Sequence, residues 1–157
     1  MRKWLLLVVV IVVLDQWTKY LADTRLDYGH PVELLSWFNL YLAYNTGAAF
    51  NFLSEAGGWQ RWFFGAVAVV AIVVLIAWLR RLDARDWPLS LSLSLILSGA
   101  IGNLIDRIWL GYVIDFIQWH YRDWYWPAFN LADSAITAGV TVLVLRTLFA
   151  SRDKSHV

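Results

Sequence analysis

Four long apolar segments divide the chain, each of about the length that a helix needs to cross a bilayer. They cover residues 4–22, 59–79, 88–105 and 129–149. The second segment has one charge near its start, Arg61, and the third has none. The fourth has Asp133 near its start and Arg146 near its end. This pattern predicts four membrane-spanning helices.

The third segment contains LSLSLSL at residues 89–95, whose period of two is typical of a strand. An isolated strand in lipid would leave its backbone polar groups unpaired, so we expect a helix instead. In a helix, Ser90, Ser94, Ser98 and Gly102 recur every four residues. This stripe of small residues predicts close packing against another helix.

Two connecting segments carry patterns of their own. In WFNLYLAYN, residues 37–45, large apolar side chains alternate with the residues between them, which predicts a strand. We expect the following NTG to turn and residues 48–53 to return as a second strand. Segment 109–128 is crowded with aromatic residues and is expected to lie in the membrane interface, partly as a short helix.

The predicted fold is therefore a membrane all-α fold. It is a four-transmembrane-helix bundle with a small extracytoplasmic β-sheet and an interfacial aromatic helix or loop. We expect residues 1–157 to form a single domain. The N-terminal segment is not followed by a convincing small-residue cleavage site, so we expect it to remain as a helix rather than to be removed as a signal peptide.

The basic residues predict the orientation of the bundle. They collect before the first segment, between the second and third, and after the fourth: Arg2, Lys3, Arg80, Arg81, Arg85, Arg146, Arg152 and Lys154. Cytoplasmic loops carry an excess of Lys and Arg, so both termini are expected in the cytoplasm. Segments 23–58 and 106–128 are then extracytoplasmic.

Composition supports a membrane protein and excludes several chemistries. The chain is 60% hydrophobic and 16% charged, whereas soluble proteins average about 25% charged residues. Its net charge of +1 predicts no nucleic-acid partner. It has no cysteine, which excludes a thiol nucleophile, and its three scattered histidines do not predict a zinc site.

With this topology, the unusual polar residues fall at one depth, near the extracytoplasmic ends of the helices. They are Asp15, Lys19, Asn45, Asn103, Asp106, Arg107, Asp115, Asn130 and Asp133. Purely structural roles are open for most of them. Asp15 and Lys19 have the spacing of a helical ion pair, and Asp106 and Arg107 suit an interfacial pair.

Two further structural roles are also open. Asn103 suits an interhelical hydrogen bond, and Asn130 suits the N-cap of the fourth helix, with Asp133 three residues later. Asp115 has the weakest structural explanation, because it lies between Ile114 and Phe116 without a charged neighbour. Acids at membrane depth are candidates for function.

Asp115 and Asp133 are the best candidate catalytic pair that elimination leaves. A Ser–Lys pair would need Lys19, with Ser134 as its partner, and no motif supports it. Two carboxyl groups about 3 Å apart do not ionise together easily and share one proton. The ionised partner then activates water and the protonated one donates to the scissile carbonyl.

Five motifs occur in order along the chain: DQWTK (15–19), YNTGAAF (44–50), GNLIDR (102–107), VIDFI (113–117) and FNLADS (129–134). Together they resemble the bacterial lipoprotein signal peptidases, the signal peptidase II family. The resemblance covers residues 15–134, and the remaining tail suits the family's last helix.

This resemblance implies an aspartyl endopeptidase of the bacterial inner membrane that cuts prolipoproteins before a diacylglyceryl-modified cysteine. Asp115 and Asp133 would be the dyad, on the periplasmic side. The supporting residues would be Asp15, Asn45, Asn103, Arg107 and Asn130. The family implies no metal or cofactor, membrane lipids as partners and inhibition by globomycin. We also expect a monomer.

Two other functions remain possible from the residues alone. A transporter or proton-relay protein would also use intramembrane carboxylates, but it would place them at several depths. A structural protein would use the same ion pairs only to hold helices together.

Overall fold

The computed structural model describes residues 2–47, 58–83 and 86–153, and the side chains of these except at 150–153. The return strand expected at 48–53 lies outside the described residues, as do Arg85 and Lys154. Among the described residues are four helices and one sheet of four strands.

Four helices form the bundle: α1 (Arg2–Arg25), α2 (Gln60–Arg81), α3 (Trp87–Trp109) and α4 (Leu131–Asp153). All four are long and apolar enough to cross a membrane. The prediction of four membrane-spanning helices is confirmed, and LSLSLSL lies within α3 as expected. Each helix extends beyond its predicted apolar segment at one end at least.

A four-stranded antiparallel sheet lies at one end of the bundle. Its strands are β1 (Val32–Leu35), β2 (Phe38–Asn45), β3 (Val113–Tyr121) and β4 (Trp124–Tyr125), in that order across the sheet. The strand predicted within 37–45 is confirmed as β2. The small sheet of the predicted fold is therefore present.

The expectation of a short interfacial helix in segment 109–128 is wrong. Residues 113–121 form β3 instead, which pairs with β2 from Phe38 opposite Trp119 to Asn45 opposite Val113. Backbone pairing across two distant segments cannot be read from local aromatic content, and here it satisfies the polar groups of both strands. A two-residue turn at Arg122 and Asp123, with Arg122 at φ 52°, then returns the chain as β4.

The sheet is anchored to the end of α1. Ala22 of α1 packs with the buried Leu42 and Ile114 of β2 and β3. The hydroxyl of Tyr44 donates to Asp23 of α1 over 2.7 Å. These contacts fix the two strands relative to the helix that carries Asp15 and Lys19.

The bundle is built around α3. Half of the most apolar window of α3 is buried, against 6% for α2. The predicted small-residue stripe is buried along its length, and its last member, Gly102, lies against the Asp15 carboxylate of α1. A neighbouring face of α3 also binds α4: the Ser92 hydroxyl donates to the Gly139 carbonyl over 2.8 Å.

Gly99 of α3 should be intolerant of even one added methyl group. A Cβ there would overlap the backbone carbonyl oxygen of Ala132, which cannot move away as a flexible side chain would. We expect Gly99→Ala to lower the free energy of unfolding by about 1–3 kcal/mol through overpacking. Thermal unfolding in detergent measures this.

Gly65→Ala is the matched control, because a Cβ at Gly65 would have only Leu104 at 4.0 Å as its nearest neighbour. It should be neutral or slightly stabilising, since alanine favours a helix more than glycine does. Equal unfolding temperatures for the two variants would contradict the close packing of α3 on α4.

Candidate active site

All nine polar residues predicted from the sequence join one hydrogen-bonded network at the sheet end of the bundle. Asp15 and Lys19 come from α1, Asn45 from β2, and Asp115 from β3. Asn103, Asp106 and Arg107 come from the last turns of α3, while Asn130 and Asp133 open α4. Segments up to 117 residues apart in the sequence therefore meet in one place.

The Lys19 ammonium group is the hub of the buried half of this network. Its Nζ lies 2.9 Å from the carboxylates of Asp15 and Asp106, and it donates to Asn103 Oδ1 over the same distance. Lys19 is only 1% exposed. The i, i+4 pair of Asp15 and Lys19 is thus present, but it is completed by a third charged group on another helix.

Gln16 was missed by sequence reasoning, although it lies inside a motif. Its Nε2 donates to Asp106 Oδ1 over 2.9 Å and to Asp15 Oδ2 over 3.2 Å. The backbone N–H groups of Ala132 and Ile114 donate to the same two carboxylates. The available signal was its position directly after Asp15 within the motif DQWTK.

Asn130 has both of its expected roles: it is the N-cap of α4, and it supports the candidate catalytic pair. As the N-cap of α4, its Oδ1 accepts from Asp133 N over 2.9 Å, and its own N–H donates to Asp133 Oδ2 over 3.2 Å. Its Nδ2 donates to Asp115 Oδ1 over 2.7 Å. One fully buried residue therefore links the two candidate catalytic carboxyl groups.

β3 delivers Asp115 to this cap. The N–H groups of Phe116 and Ile117 donate to the Phe129 carbonyl, and the Phe129 N–H donates to Ile117 O. These bonds hold the residue before Asn130 against the residues after Asp115. The proximity of the two carboxyl groups is thus built into the backbone.

The amide donors around the two carboxyl groups have fixed orientations. Asn45 Oδ1 accepts from the Gly47 N–H, so its Nδ2 faces Asp115, 3.1 Å away. Asn103 Oδ1 accepts from Lys19 and Asn130, so its Nδ2 faces Asp133 at 2.7 Å. Among the described residues, three of the four carboxyl oxygens accept a bond from a side-chain amide, and Asp133 Oδ2 accepts one from the Asn130 N–H. Each oxygen keeps a second lone pair for water or substrate.

The two carboxyl groups differ in their surroundings. Asp115 is 2% exposed, whereas Asp133 is half-buried at the start of α4. Burial, and next the nearby charge of Asp133, raise the pKa of Asp115 to about 7. A carboxyl group with this pKa retains a proton near neutral pH, as a general acid requires.

Arg107 places a guanidinium group beside the pair. Its Nη2 donates to the Gly47 carbonyl over 3.1 Å and its Nη1 to the Asn103 carbonyl over 3.3 Å. Its charge also interacts with Asp133, Asp115 and Asp106. The expected direct ion pair of Asp106 with Arg107 is thus not its main contact: the Asp106 carboxylate pairs with Lys19, and Arg107 acts on Asp106 only through its charge.

Comparison with known proteins identifies this arrangement. A family model described as signal peptidase (SPase) II matches residues 7–149. The chain belongs to the signal peptidase II family. It is therefore a membrane peptidase.

Its relatives in this family match nearly the whole chain. The lipoprotein signal peptidase of Acinetobacter baumannii (strain ATCC 17978) is 50% identical over 151 residues, which are 96% of this chain and 86% of the relative. That of Cellvibrio japonicus (strain Ueda107) is 51% identical over 152 residues, 97% and 89% of the two chains.

Two solved structures share the fold of this chain. A bacterial membrane enzyme determined by the in meso method at 2.3 Å resolution has a TM-score of 0.89 and 30% identity, over 98% of this chain and 92% of that one. A second one, at 1.9 Å resolution, has a TM-score of 0.82 and 30% identity, over 94% of each chain.

Replacing Lys19 should destabilise this membrane peptidase strongly. Lys19→Met keeps the length of the side chain but leaves the buried carboxylates of Asp15 and Asp106 without their cation. Removing one partner of a buried ion pair costs about 3–5 kcal/mol. Thermal unfolding in detergent should show the loss, and Lys3→Met, at an exposed lysine of the same helix, should not.

The combination of Lys19→Met with Asp15→Asn should recover part of this loss, because it removes one of the two unpaired charges. A double variant no more stable than Lys19→Met would contradict the pairing.

The pKa of Asp115 predicts how stability depends on pH. Its value of about 7 in the folded state exceeds its ordinary value of 3.8, so the folded protein binds the proton more tightly between these limits. Stability from this group therefore falls as pH rises from about 4 to about 7. Asp115→Asn removes the titration, and its unfolding temperature relative to wild type should be higher at pH 8 than at pH 4.5.

Glu33→Gln, at an exposed acid of β1, provides the control and should follow wild type at both pH values. If the Asp115→Asn variant also kept the wild-type pH dependence, the raised pKa would be refuted.

Proposed function

We propose that this protein is a single-domain aspartyl endopeptidase that removes signal peptides from prolipoproteins, with Asp115 and Asp133 as its catalytic dyad. The observation that carries this proposal is the link through Asn130. Its side-chain amide donates to one carboxyl group and its backbone N–H to the other, which suits a pair that shares one proton.

Asp115 is the resting site of the shared proton in this proposal, because it is the more buried group and its pKa is raised to about 7. Asp133 is then the base. It takes a proton from a water molecule whose oxygen attacks the scissile carbonyl carbon, while Asp115 gives its proton to the carbonyl oxygen.

Collapse of the resulting tetrahedral diol completes the cycle. The proton on Asp133 passes to the peptide nitrogen, the C–N bond breaks, and a hydroxyl proton of the diol returns to Asp115. Both carboxyl groups regain their starting states. The oriented amides of Asn45, Asn103 and Asn130 need no rearrangement to hold them through these steps.

The remaining residues have supporting roles in this proposal. Arg107 favours negative charge developing at the dyad and holds the Gly47 carbonyl beside it. Asp15, Lys19 and Asp106 form the rigid base that fixes Asn103 and the start of α4.

The substrate assignment rests on the family and on the location of the dyad. Relatives about 50% identical are lipoprotein signal peptidases. A prolipoprotein presents an extended segment next to a lipid-anchored cysteine at the membrane surface, and the dyad lies where the bundle meets the sheet. We propose cleavage immediately before the diacylglyceryl-modified cysteine, with no metal or cofactor.

We further propose the bacterial inner membrane as the location, with both termini in the cytoplasm and the dyad on the periplasmic side. Arg2, Lys3, Arg80 and Arg81 lie at helix ends away from the sheet, which supports this orientation. Surrounding lipids, sensitivity to globomycin and a monomeric state belong to the same proposal.

Asp115→Asn and Asp133→Asn should each lower cleavage by about 10²–10⁴-fold, because each removes one partner of the proton exchange. A purified preparation in detergent, supplied with a diacylglyceryl-modified prolipoprotein, measures this by gel mobility and mass spectrometry of the products. Asp123→Asn, at an exposed turn acid, should cleave at the wild-type rate.

Both dyad variants should remain folded, since asparagine keeps the size of the side chain. A folded variant that still cleaves would disprove the dyad. A wild-type protein that moves protons or solutes across vesicles without cleaving prolipoprotein would favour the transporter alternative.

A further inference from the structure

Arg61 lies in the first turn of α2 and holds the end of α3. Its Nε donates to the Arg107 carbonyl over 2.7 Å and its Nη2 to the Ile108 carbonyl over 2.6 Å. The last carbonyl groups of a helix lack intrahelical partners and carry partial negative charge. A guanidinium group from another helix thus caps the C-terminus of α3 with two short, charge-assisted bonds.

The turn that follows α3 is shaped to admit this guanidinium group. Gly111 has φ +89°, and a Cβ there would lie 3.3 Å from Arg61 Nη1. Residues 110–112 then lead directly into β3, which begins at Val113 and carries Asp115. Arg61 therefore binds the end of α3 and lies beside the turn that leads into β3.

Arg107 connects this cap to the dyad. The carbonyl that Arg61 holds belongs to the residue whose side chain donates to the Gly47 and Asn103 carbonyls. The backbone position of Arg107 decides where its charge lies relative to Asp115 and Asp133. A shift of this turn would move the Arg107 guanidinium group and the first residues of β3 together.

We propose that Arg61 is a positioning residue for peptide cleavage, which acts through Arg107 without touching the substrate. This inference rests on the proposed function, because it assigns Arg61 to the same reaction. It requires that the loss of Arg61 lower the rate through Arg107 and not merely weaken the bundle.

A double-mutant cycle tests this route. Arg61→Ala should lower kcat for prolipoprotein cleavage by about tenfold to hundredfold, since misplacement of a positioning group by about 1 Å has effects of this size. KM should change by less than about twofold. In an Arg107→Lys background, the same Arg61→Ala change should lower kcat by less than about twofold more.

The conservative variant Arg61→Lys keeps a charged donor near the two carbonyl groups and should recover kcat to within about threefold of wild type. If Arg61→Ala does not accumulate as folded protein, Arg61→Gln, whose amide keeps one donor, replaces it in the same cycle.

Arg146→Gln is the matched control. Arg146 of α4 binds Asp86, the N-cap of α3, so it also holds α3 from another helix. It does so at the opposite end of α3 from Arg61. Its loss should lower the unfolding temperature and leave kcat unchanged, whereas the loss of Arg61 should lower kcat.

Two results would overturn the inference: unchanged kcat in Arg61→Ala, or an equal loss from Arg61→Ala in the wild-type and Arg107→Lys backgrounds. Both require that the wild-type protein cleave prolipoprotein. Absence of cleavage by the wild type would instead refute the proposed function, so the two failures are distinguishable.

Discussion

The ammonium group of Lys19, buried between two carboxylates, is the constraint on which the rest of the structure depends. A charge taken out of water is unfavourable unless it is paired and fully hydrogen-bonded. Here Asp15, Asp106 and Asn103 supply three partners at 2.9 Å. Because these partners lie on two helices, and because Ala132 and Ile114 donate to the same carboxylates, the pairing also fixes the start of α4 and β3.

Above this base, the polar groups form a directed chain. Lys19 occupies the oxygen of Asn103, so the amide nitrogen of Asn103 faces Asp133. The Asp133 N–H occupies the oxygen of Asn130, so the nitrogen of Asn130 faces Asp115. In both residues, the hydrogen bond that the amide oxygen accepts sets the orientation of the amide nitrogen. The preorganised field around the two carboxyl groups therefore arises from the backbone and from buried charge, not from the two carboxyl groups themselves.

The sequence predicted those features that depend on local pattern. Apolar length predicted the four helices, and period two predicted β2. Charge order predicted the contact of Asp15 with Lys19, and the spacing of Asn130 and Asp133 predicted the cap of α4. The sequence did not predict the pairing of β3 with β2, because strand partners 68–81 residues apart leave no local signal. Arg61 was overlooked for a related reason, because the carbonyl groups that it binds come near only in the folded chain. Gln16 had a local signal in its neighbour Asp15, but its bond to Asp106 likewise forms only in the folded chain.

Asn130 lies at the tip of a helix that is mostly surrounded by lipid, since only 17% of the apolar window of α4 is buried. Transmembrane helices tilt to match their hydrophobic length to the thickness of the bilayer. A change in tilt of α4 would reach both carboxyl groups through one side chain and one N–H group. Under the proposed function, a bilayer thickness that changed this tilt would change the spacing of the two acids, and so the chemistry as well as the stability of the protein.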